Sequence, residues 1–398
     1  MSRILYNTYT LNNSAMKTNP HILIVRTSSL VIDFKSYNCQ ETGLATALTK
    51  KGYKVSFITP GNKAGREIIP VSDNKYIYVY TLTLSKLNRN ICWYHGYFKL
   101  LKTLNPDLIH INSISLSMSF FSLLWAKYKK KKSVVIQGNY ETTHKPLLRN
   151  LEQLFNKTIG KYIINNTNGI GCKTKWASDF IKSYSNNIET NITKIGLDVS
   201  RFANYNKIDW RTKLNIKDKH ILLYVGAIES RRNPLFLIDL LYKLPENYCL
   251  VMVGDGQQKD DVVSKLKNYR IESRCKLLGK LPQTDLPSLY EAADIFLLAS
   301  DYEIYGMVIL ESMYFGTPVI STLTAGSDTI ISNGIDGIIL NTLDVDRWKN
   351  EVINLTENPQ KLLTISISAK QKIENNLIWD KTVDEFITLY NKAFNDDK

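Results

Sequence analysis

The chain is short of the residues that disulfide and metal chemistry need. Its 398 residues include five cysteines (Cys39, Cys92, Cys172, Cys249, Cys275) and five histidines (His21, His95, His110, His144, His220). The cysteines are odd in number, scattered and without a CxxC pair, which argues against a disulfide framework and fits a reduced, cytoplasmic protein. The histidines lack zinc-site spacing. Asp344-Val-Asp346 has the form of a carboxylate pair, yet it stands just ahead of Arg347-Trp-Lys-Asn, where acids at a helix amino terminus account for it. No metal is expected. Long apolar runs are missing too. Nothing approaches the ~18–20 residues of a membrane span, and the nearest candidate, residues 114–126, is interrupted by Ser115, Ser117, Ser119 and Ser122. Residues 1–20 are polar, without the apolar core of a secretory signal, and read as a mobile extension.

Acidic residues are scarce in one half only. Residues 1–200 carry 27 Lys/Arg against 10 Asp/Glu, while the whole chain has a net charge of +14. All of the positive excess therefore lies in the first half. Such asymmetry points to a polyanionic partner, a membrane surface or nucleic acid, or else to a lysine-rich solvated surface. No zinc-finger spacing, RNP signature or basic zipper is present, so nucleic acid is not expected. The densest cluster is Lys127, Lys129, Lys130, Lys131 and Lys132, more cations than capping a helix carboxyl end requires. This cluster is the candidate contact with an anionic membrane.

A chain of this length divides into two domains. His21-Ile-Leu-Ile-Val25 and Lys54-Val-Ser-Phe-Ile-Thr59 read as buried strands. Between them runs a helix capped by Asn38, with Glu41 reciprocating, that stops at Gly52. Strand, helix and strand in this order argue a parallel sheet whose ligands bind at strand carboxyl ends. Residues 92–102 read as a helix with Tyr94, Phe98 and Leu101 on one face, either packed on the sheet or lying on lipid. A second helix is expected over residues 115–127, and residues 194–202 read as a strand and turn. Ser133-Val-Val-Ile136 is a strand that opens into the loop Gln137-Gly138-Asn-Tyr-Glu141.

His220-Ile-Leu-Leu-Tyr-Val225 starts a second sheet. It is followed by Gly226, a loop bearing Arg231 and Arg232, and a helix opened by Pro234, a plausible phosphate grip. The most informative stretch is the run from Asp301 to Glu311, DYEIYGMVILE, after the apolar Ile295-Phe-Leu-Leu-Ala299. It reads as strand, loop and a helix opening near Gly306, with Glu303 before the helix and Glu311 on its second turn. Helix-start N–H groups form an anion site, and carboxylates on either side suit sugar hydroxyls.

From about Tyr224 to Leu340 the sequence resembles the family 4 retaining glycosyltransferases of the GT-B fold. The resemblance rests on Gly226, the basic loop to Arg232, Gly254-Asp-Gly256, Gly279, Asp294, Ser300, Glu303-x7-Glu311, Gly316-Thr-Pro-Val319, Gly326, Gly334 and Gly337. The first half matches more loosely, through Glu41-Thr-Gly-Leu44, Pro106-Asp-Leu-Ile-His110 and Ile195-Gly-Leu-Asp198. The resemblance implies two Rossmann-like domains facing across a cleft, over residues 21–203 and 204–375, with a C-terminal helix (376–398) returning to the first. A nucleotide-sugar donor would lie on the second domain and a glycan or lipid-linked acceptor on the first. Glu311 would accept from the ribose and Glu303 would hold the transferred sugar. Backbone amides of Tyr305, Gly306, Met307 and Val308 would meet sugar and phosphate, and Arg232, helped by Arg231, would neutralise the leaving diphosphate. Gly226 and Gly254 would belong to the donor-binding set, and Gly279, Lys280 and Leu281 would line the base. Asn38, Gln137 and Gly138 are acceptor-side candidates. No cofactor is expected.

Four departures from the family pattern stand out. Ala227 replaces a common arginine, Ile304 a glycine and Gln137 a histidine, and the first loop lacks a glycine pair. The resulting expectation is a cytoplasmic enzyme on the inner membrane face that moves a hexose or N-acetylhexosamine, from UDP-sugar before GDP-sugar, into a surface polysaccharide. An inactive GT-B scaffold and a nucleotide-sugar epimerase stay open.

Overall fold

The structure, a computed structural model, describes residues 19–31, 39–72, 74–88, 90–143 and 146–396. The expectations for residues 1–18, Asn38 and His144 fall outside it.

Two parallel sheets form two Rossmann-like domains. The first is built from β1 (His21–Val25), β2 (Lys54–Pro60), β3 (Gly65–Ser72), β4 (Lys75–Leu82), β7 (Leu108–Asn112), β8 (Lys132–Gln137), β9 (Gly169–Cys172) and β10 (Asn191–Ile192), with β5 (Leu84–Lys86) and β6 (Cys92–Tyr94) paired in a separate hairpin. Its order is β10-β9-β8-β7-β1-β2-β4-β3, parallel except for the β3–β4 edge. The second contains β11 (His220–Val225), β12 (Tyr248–Val253), β13 (Cys275–Leu277), β14 (Ile295–Leu298), β15 (Val319–Thr322) and β16 (Ile338–Leu340), in the order β13-β12-β11-β14-β15-β16. Strands covered by helices on both faces need no polar alternation. That is why β1 and β12 are buried at every residue and read as unbroken apolar runs.

Each order reverses once beside its first strand, between β1 and β7 in one sheet and between β11 and β14 in the other. At such a switch point neighbouring loops diverge and leave a crevice at the strand carboxyl ends. The sequence therefore puts Arg26 and Asn112 at one crevice, and the 226–233 and 299–306 loops at the other.

The C-terminal helix Trp379–Asn395 crosses back to the first sheet. Leu197 donates its N–H to Leu377 at 2.7 Å and accepts from Trp379 N at 3.2 Å. The Tyr390 hydroxyl meets His110 Nδ1 at 2.7 Å, and Phe386, Leu389 and Ala393 are fully buried. Trp379 lies over Gly43 and Gly196, where a side chain on either glycine would overlap its ring or backbone.

Several local expectations are corrected. Residues 92–102 are not one helix. Cys92–Tyr94 is strand β6, and left-handed Gly96 (φ 76°) starts a shorter helix, Tyr97–Leu104. Tyr97 and Leu101 are its buried face, Tyr94 is buried from the strand, and Phe98 is exposed. The helix Gln40–Lys50 is preceded by Cys39, whose side chain makes no capping bond, and Glu41 turns to Arg26 rather than to a cap. Residues 195–198 form no strand, only a single bridge from Leu197 to Ile378. The 115–127 helix runs Ser117–Tyr128. Asp344 caps the helix Val345–Thr356 by accepting from Arg347 N at 3.0 Å, which accounts for that acidic pair without a metal.

Candidate functional site

The loops after β11 and β14 are tied together before any ligand is considered. Asp301 N donates to Arg231 O at 2.9 Å, and Asn233 Nδ2 donates to Asp301 Oδ1 at 2.6 Å and to Ala299 O at 2.9 Å. Gly254 has φ 135°, and a side chain there would overlap the Gly226 carbonyl, so the loops after β11 and β12 close only on glycine.

Within this frame two arginines converge on one acid. Glu303 is buried, and its Oε1 lies 3.0 Å from Arg232 Nη1 and 3.2 Å from Arg231 Nη1, with Ser300 Oγ donating at 3.1 Å. Arg231 also grips Glu229 at 2.8 Å and the Tyr302 carbonyl at 2.6 Å. Burial works to lower the Arg231 pKa, and Glu303 and Glu229 overcome it, holding the guanidinium above its ordinary value. Arg232 is less committed. Its Nε and Nη1 are buried, and neither makes a hydrogen bond; the ion pair to Glu303 is a contact of charge rather than of aligned N–H. Gly226 stands directly under this guanidinium, with room for little else.

The helix Met307–Tyr314 begins four residues beyond Glu303, behind left-handed Gly306 (φ 84°). Ile309 N donates to Gly306 O at 2.9 Å, while the N–H groups of Met307 and Val308 precede the first turn's carbonyls. Met307 and Val308 are partly exposed there, while Tyr305 and Gly306 are buried. Tyr305 packs into the core, and its backbone carbonyl abuts Gly326. Glu311, one turn further, is also buried. Its Oε2 accepts from the Tyr290 hydroxyl at 3.0 Å. Burial pushes this carboxyl up to about 7, against the Tyr290 hydrogen bond and the charge of Arg201. Gly279 (φ 66°) accepts at its carbonyl from Gly254 N at 2.8 Å, which fixes the end of β13 beside the same loops; Lys280 is exposed and Leu281 half-buried.

Across the cleft the first domain closes on this site. The Tyr140 ring stacks on Tyr302 at 4.5 Å, and Trp176 Nε1 donates to Asp328 Oδ2 at 2.8 Å. The Tyr140 hydroxyl faces the backbone amides of Glu303 and Ala325. Gly138 sits between Ile304 and the Lys173 stem, where a Cβ would come within 3.0 Å of Ile304 Cγ2. Gln137 is fully buried, and both amide ends are used, accepting from Ile114 N at 3.0 Å and donating to Asn139 O at 2.8 Å. It braces two loops with one hydrogen bond from each end of its amide. Tyr140, Trp176 and Lys173 were not among the site residues expected from sequence. Tyr140, three residues beyond Gln137, was the only one already inside a loop read as polar and strand-terminal.

Among the described residues no group of three or more His, Cys, Asp or Glu could hold a metal ion, and no helix is long and apolar enough to cross a membrane. In the basic cluster, Lys127 bonds Asn166 Oδ1 at 2.5 Å, Lys132 reaches the Asp396 carbonyl, and Lys129 lies over the Tyr128 ring.

Comparison with known proteins accords with this geometry. The family described as Glycosyl transferases group 1 matches residues 206–372, and Glycosyltransferase Family 4 matches residues 42–195. An uncharacterized glycosyltransferase of Methanocaldococcus jannaschii is 24% identical over 317 residues, 77% of this chain and 80% of that protein. The UDP-Gal:alpha-D-GlcNAc-diphosphoundecaprenol alpha-1,3-galactosyltransferase of Escherichia coli is 29% identical over 217 residues, 52% of this chain and 55% of that one. In fold, the chain is similar to Anabaena HepE solved with UDP and glucose (TM-score 0.70, 16% identity, 94% of this chain and 100% of that one). It is also similar to the sucrose-phosphate synthase of Thermosynechococcus elongatus (TM-score 0.74, 18% identity, 95% and 100%). With both of its halves matched in this way, the chain belongs to the family 4 glycosyltransferases of the GT-B fold.

Proposed function

We propose that the protein moves a hexose or N-acetylhexosamine from a nucleoside-diphosphate sugar, UDP-sugar before GDP-sugar, to a glycan or lipid-linked acceptor in surface polysaccharide assembly, with retention of configuration. The observation that carries this reading is Arg232, whose buried Nε and Nη1 make no hydrogen bond and whose ion pair is with Glu303, four residues ahead of the Met307–Tyr314 helix. A diphosphate entering there meets a fixed cation and a helix amino terminus without reorganising either, the arrangement that best stabilises a departing anion. The E. coli relative acts on a UDP-sugar by its name and HepE was solved with UDP, which supports the choice of nucleotide.

Glu303 is the sugar-side acid. Its carboxylate is already shared by Arg231, Arg232 and Ser300, which suits it to accept from a sugar hydroxyl and ill suits it to attack the anomeric carbon. Glu303 and Glu311 are both engaged, neither is a free nucleophile, and the two-carboxylate scheme of retaining hydrolases is not part of this reading. The acceptor oxygen then arrives on the face that the diphosphate leaves, with Arg232 and the helix start taking up the charge in place of a metal. Glu311 accepts from the ribose, and the stretch from Gly279 to Leu281 borders the base.

Membrane contact through residues 127–132 belongs to the same reading, with the protein on the cytoplasmic face. The exposed Leu148, Leu151 and Leu154 on the helix Pro146–Phe155 add an apolar stripe in the same domain. The deciding experiment is a thermal-shift panel of UDP-, GDP- and ADP-sugars followed by product analysis, since a bound donor raises apparent stability by mass action. Stabilisation by a UDP-sugar and an axial-to-axial or equatorial-to-equatorial product support the proposal. No stabilisation by any of them, or an isomerised donor, refutes it.

A further inference from the structure

A second charged cluster lies at the other switch point, and the donor chemistry does not use it. Arg26 follows β1 and places Nη1 2.9 Å from Glu41 Oε1. Asn112, the last residue of β7, approaches the same oxygen at 3.5 Å, and Cys39 Sγ donates to Glu41 Oε2 at 3.2 Å. Lys173, just beyond β9, extends Nζ to the neutral Gln40 Oε1 at 2.7 Å. Burial would raise the Glu41 carboxyl, but Arg26 first and Lys173 next hold it below its ordinary value, so it is an anion. For Lys173, burial presses the pKa down and Glu41 resists.

The charges do not cancel. Among the described residues two cations face one carboxylate, and the nearest other titratable groups add nothing. His110, which reaches Asn112 Oδ1 at 3.2 Å, is pushed down to about 4 by burial and is neutral at pH 7. Cys39 is pushed up to about 11 by burial and by Glu41, and keeps its proton. Glu303 across the cleft is already matched by Arg231 and Arg232. A structural ion pair would be complete with Arg26 and Glu41 alone. Lys173 makes the cluster net positive in a site shielded from water, where an uncompensated charge is costly. Arg26 Nε is moreover buried with no hydrogen-bond partner, so one edge of its fork is unspent.

Lys173 links the cluster to the donor wall. The Lys173 side chain runs alongside Gly138, whose other neighbour is Ile304, the residue that follows Glu303 on the donor wall. An acceptor lying between the two switch points would thus put one end at Arg26 and Lys173 and the other at the transferred sugar.

We propose that the acceptor carries a phosphate ester, and that Arg26 and Lys173 bind this phosphate at the crevice between β1 and β7 while Glu41 positions the Arg26 guanidinium. A tetrahedral oxyanion can take a guanidinium edge on one side and an ammonium on another, and its charge offsets the surplus that Glu41 leaves. The inference rests on the glycosyltransferase reading above and names the chemistry of its acceptor.

The test uses the full chain saturated with UDP, so that the donor-side cations are occupied. Inorganic phosphate is titrated in, and the melting temperature is followed. Phosphate should raise it saturably in the wild type, and acetate should do so much less. Lys173→Met should weaken the apparent phosphate affinity by roughly tenfold to a hundredfold, the worth of one charge-assisted hydrogen bond. Arg26→Lys should weaken it less, since the charge stays and the fork is lost. Stabilisation by UDP itself should persist in both, which certifies their fold. No phosphate response in the wild type, an equal response to acetate, or a response unchanged in both variants would overturn the proposal while leaving UDP binding intact. Failure of UDP to stabilise any of the proteins would instead sink the donor reading. Glucose 1-phosphate and a polyprenyl phosphate in detergent micelles, used as competitors of phosphate, identify the source. Competition by the first places the phosphate on a soluble acceptor, and competition by the second alone places it on a lipid carrier. Competition by neither counts against the assignment.

Discussion

Replacing Glu311 by glutamine should make the ligand-free protein more stable and a poorer binder of UDP, with both effects growing as pH rises. The carboxyl is fully enclosed, with Tyr290 as its hydrogen-bond donor, and burial lifts its pKa from 4.5 to about 7. The folded chain therefore keeps a proton that the unfolded chain has released. Below the unfolded value the acid carries no penalty, and stability falls as pH rises from there, levelling off above about 7. Between pH 5 and pH 8 the loss is about 2.5 kcal/mol, the difference of two titration curves at 1.36 kcal/mol per unit. Glutamine cannot ionise and escapes that loss. Comparing the two pH values for each protein cancels the constant effect of the amide. In melting temperature the variant should gain roughly 5–10 °C over the wild type from pH 5 to pH 8. UDP affinity in the wild type should meanwhile rise about tenfold from pH 6 to pH 8, following the ionised fraction that can accept from the ribose. The variant should lose that pH dependence. Parallel melting curves for the two proteins across this range would refute the argument, because burial would then have left Glu311 with an unshifted pKa.

Three further outcomes follow. Arg232→Ala should lower turnover by roughly 10²–10³ with the fold preserved, read from steady-state kinetics beside a far-ultraviolet circular dichroism spectrum; near-wild-type turnover would remove the diphosphate role. Gly196→Val should destabilise the protein by about 1–3 kcal/mol, because its side chain would overlap the Trp379 backbone and Thr382; an unchanged denaturant midpoint would show that the returning helix is not held there. Replacing Lys129, Lys130, Lys131 and Lys132 by glutamine should abolish salt-sensitive flotation with anionic liposomes, and flotation equal to that of the wild type would remove the cluster from the membrane contact.

The parts legible in the sequence are those whose signal is local. His220 to Val225 and Cys249 to Val253 announce buried parallel strands because both faces are covered and nothing polar interrupts them. Glu303 and Glu311 read as flanking a helix start because their spacing, the intervening Gly306 and the preceding strand all fall within one stretch. The Arg26, Glu41 and Lys173 cluster was illegible for the opposite reason. Its members come from the ends of β1 and β9 and from a helix, and only the strand order brings them together. For Gln137 the sequence shows an amide at a strand end but not that two loop backbones each take a bond from it. The helix expected over residues 92–102 failed on one torsion. Gly96 sits in the left-handed region, which restarts the chain direction and turns an apparent helical stripe into a strand followed by a shorter helix.

The return of the Trp379–Asn395 helix bears on how the chain folds as it is made. The first sheet has all its strands by Ile192, yet Gly43, Gly169 and Gly196 leave grooves shaped for Trp379 and Leu389, residues translated only after the whole second domain. The packing of the first domain is therefore complete only once the last helix of the chain has been made. The earlier half waits with an apolar face uncovered, and its basic character keeps that waiting surface soluble.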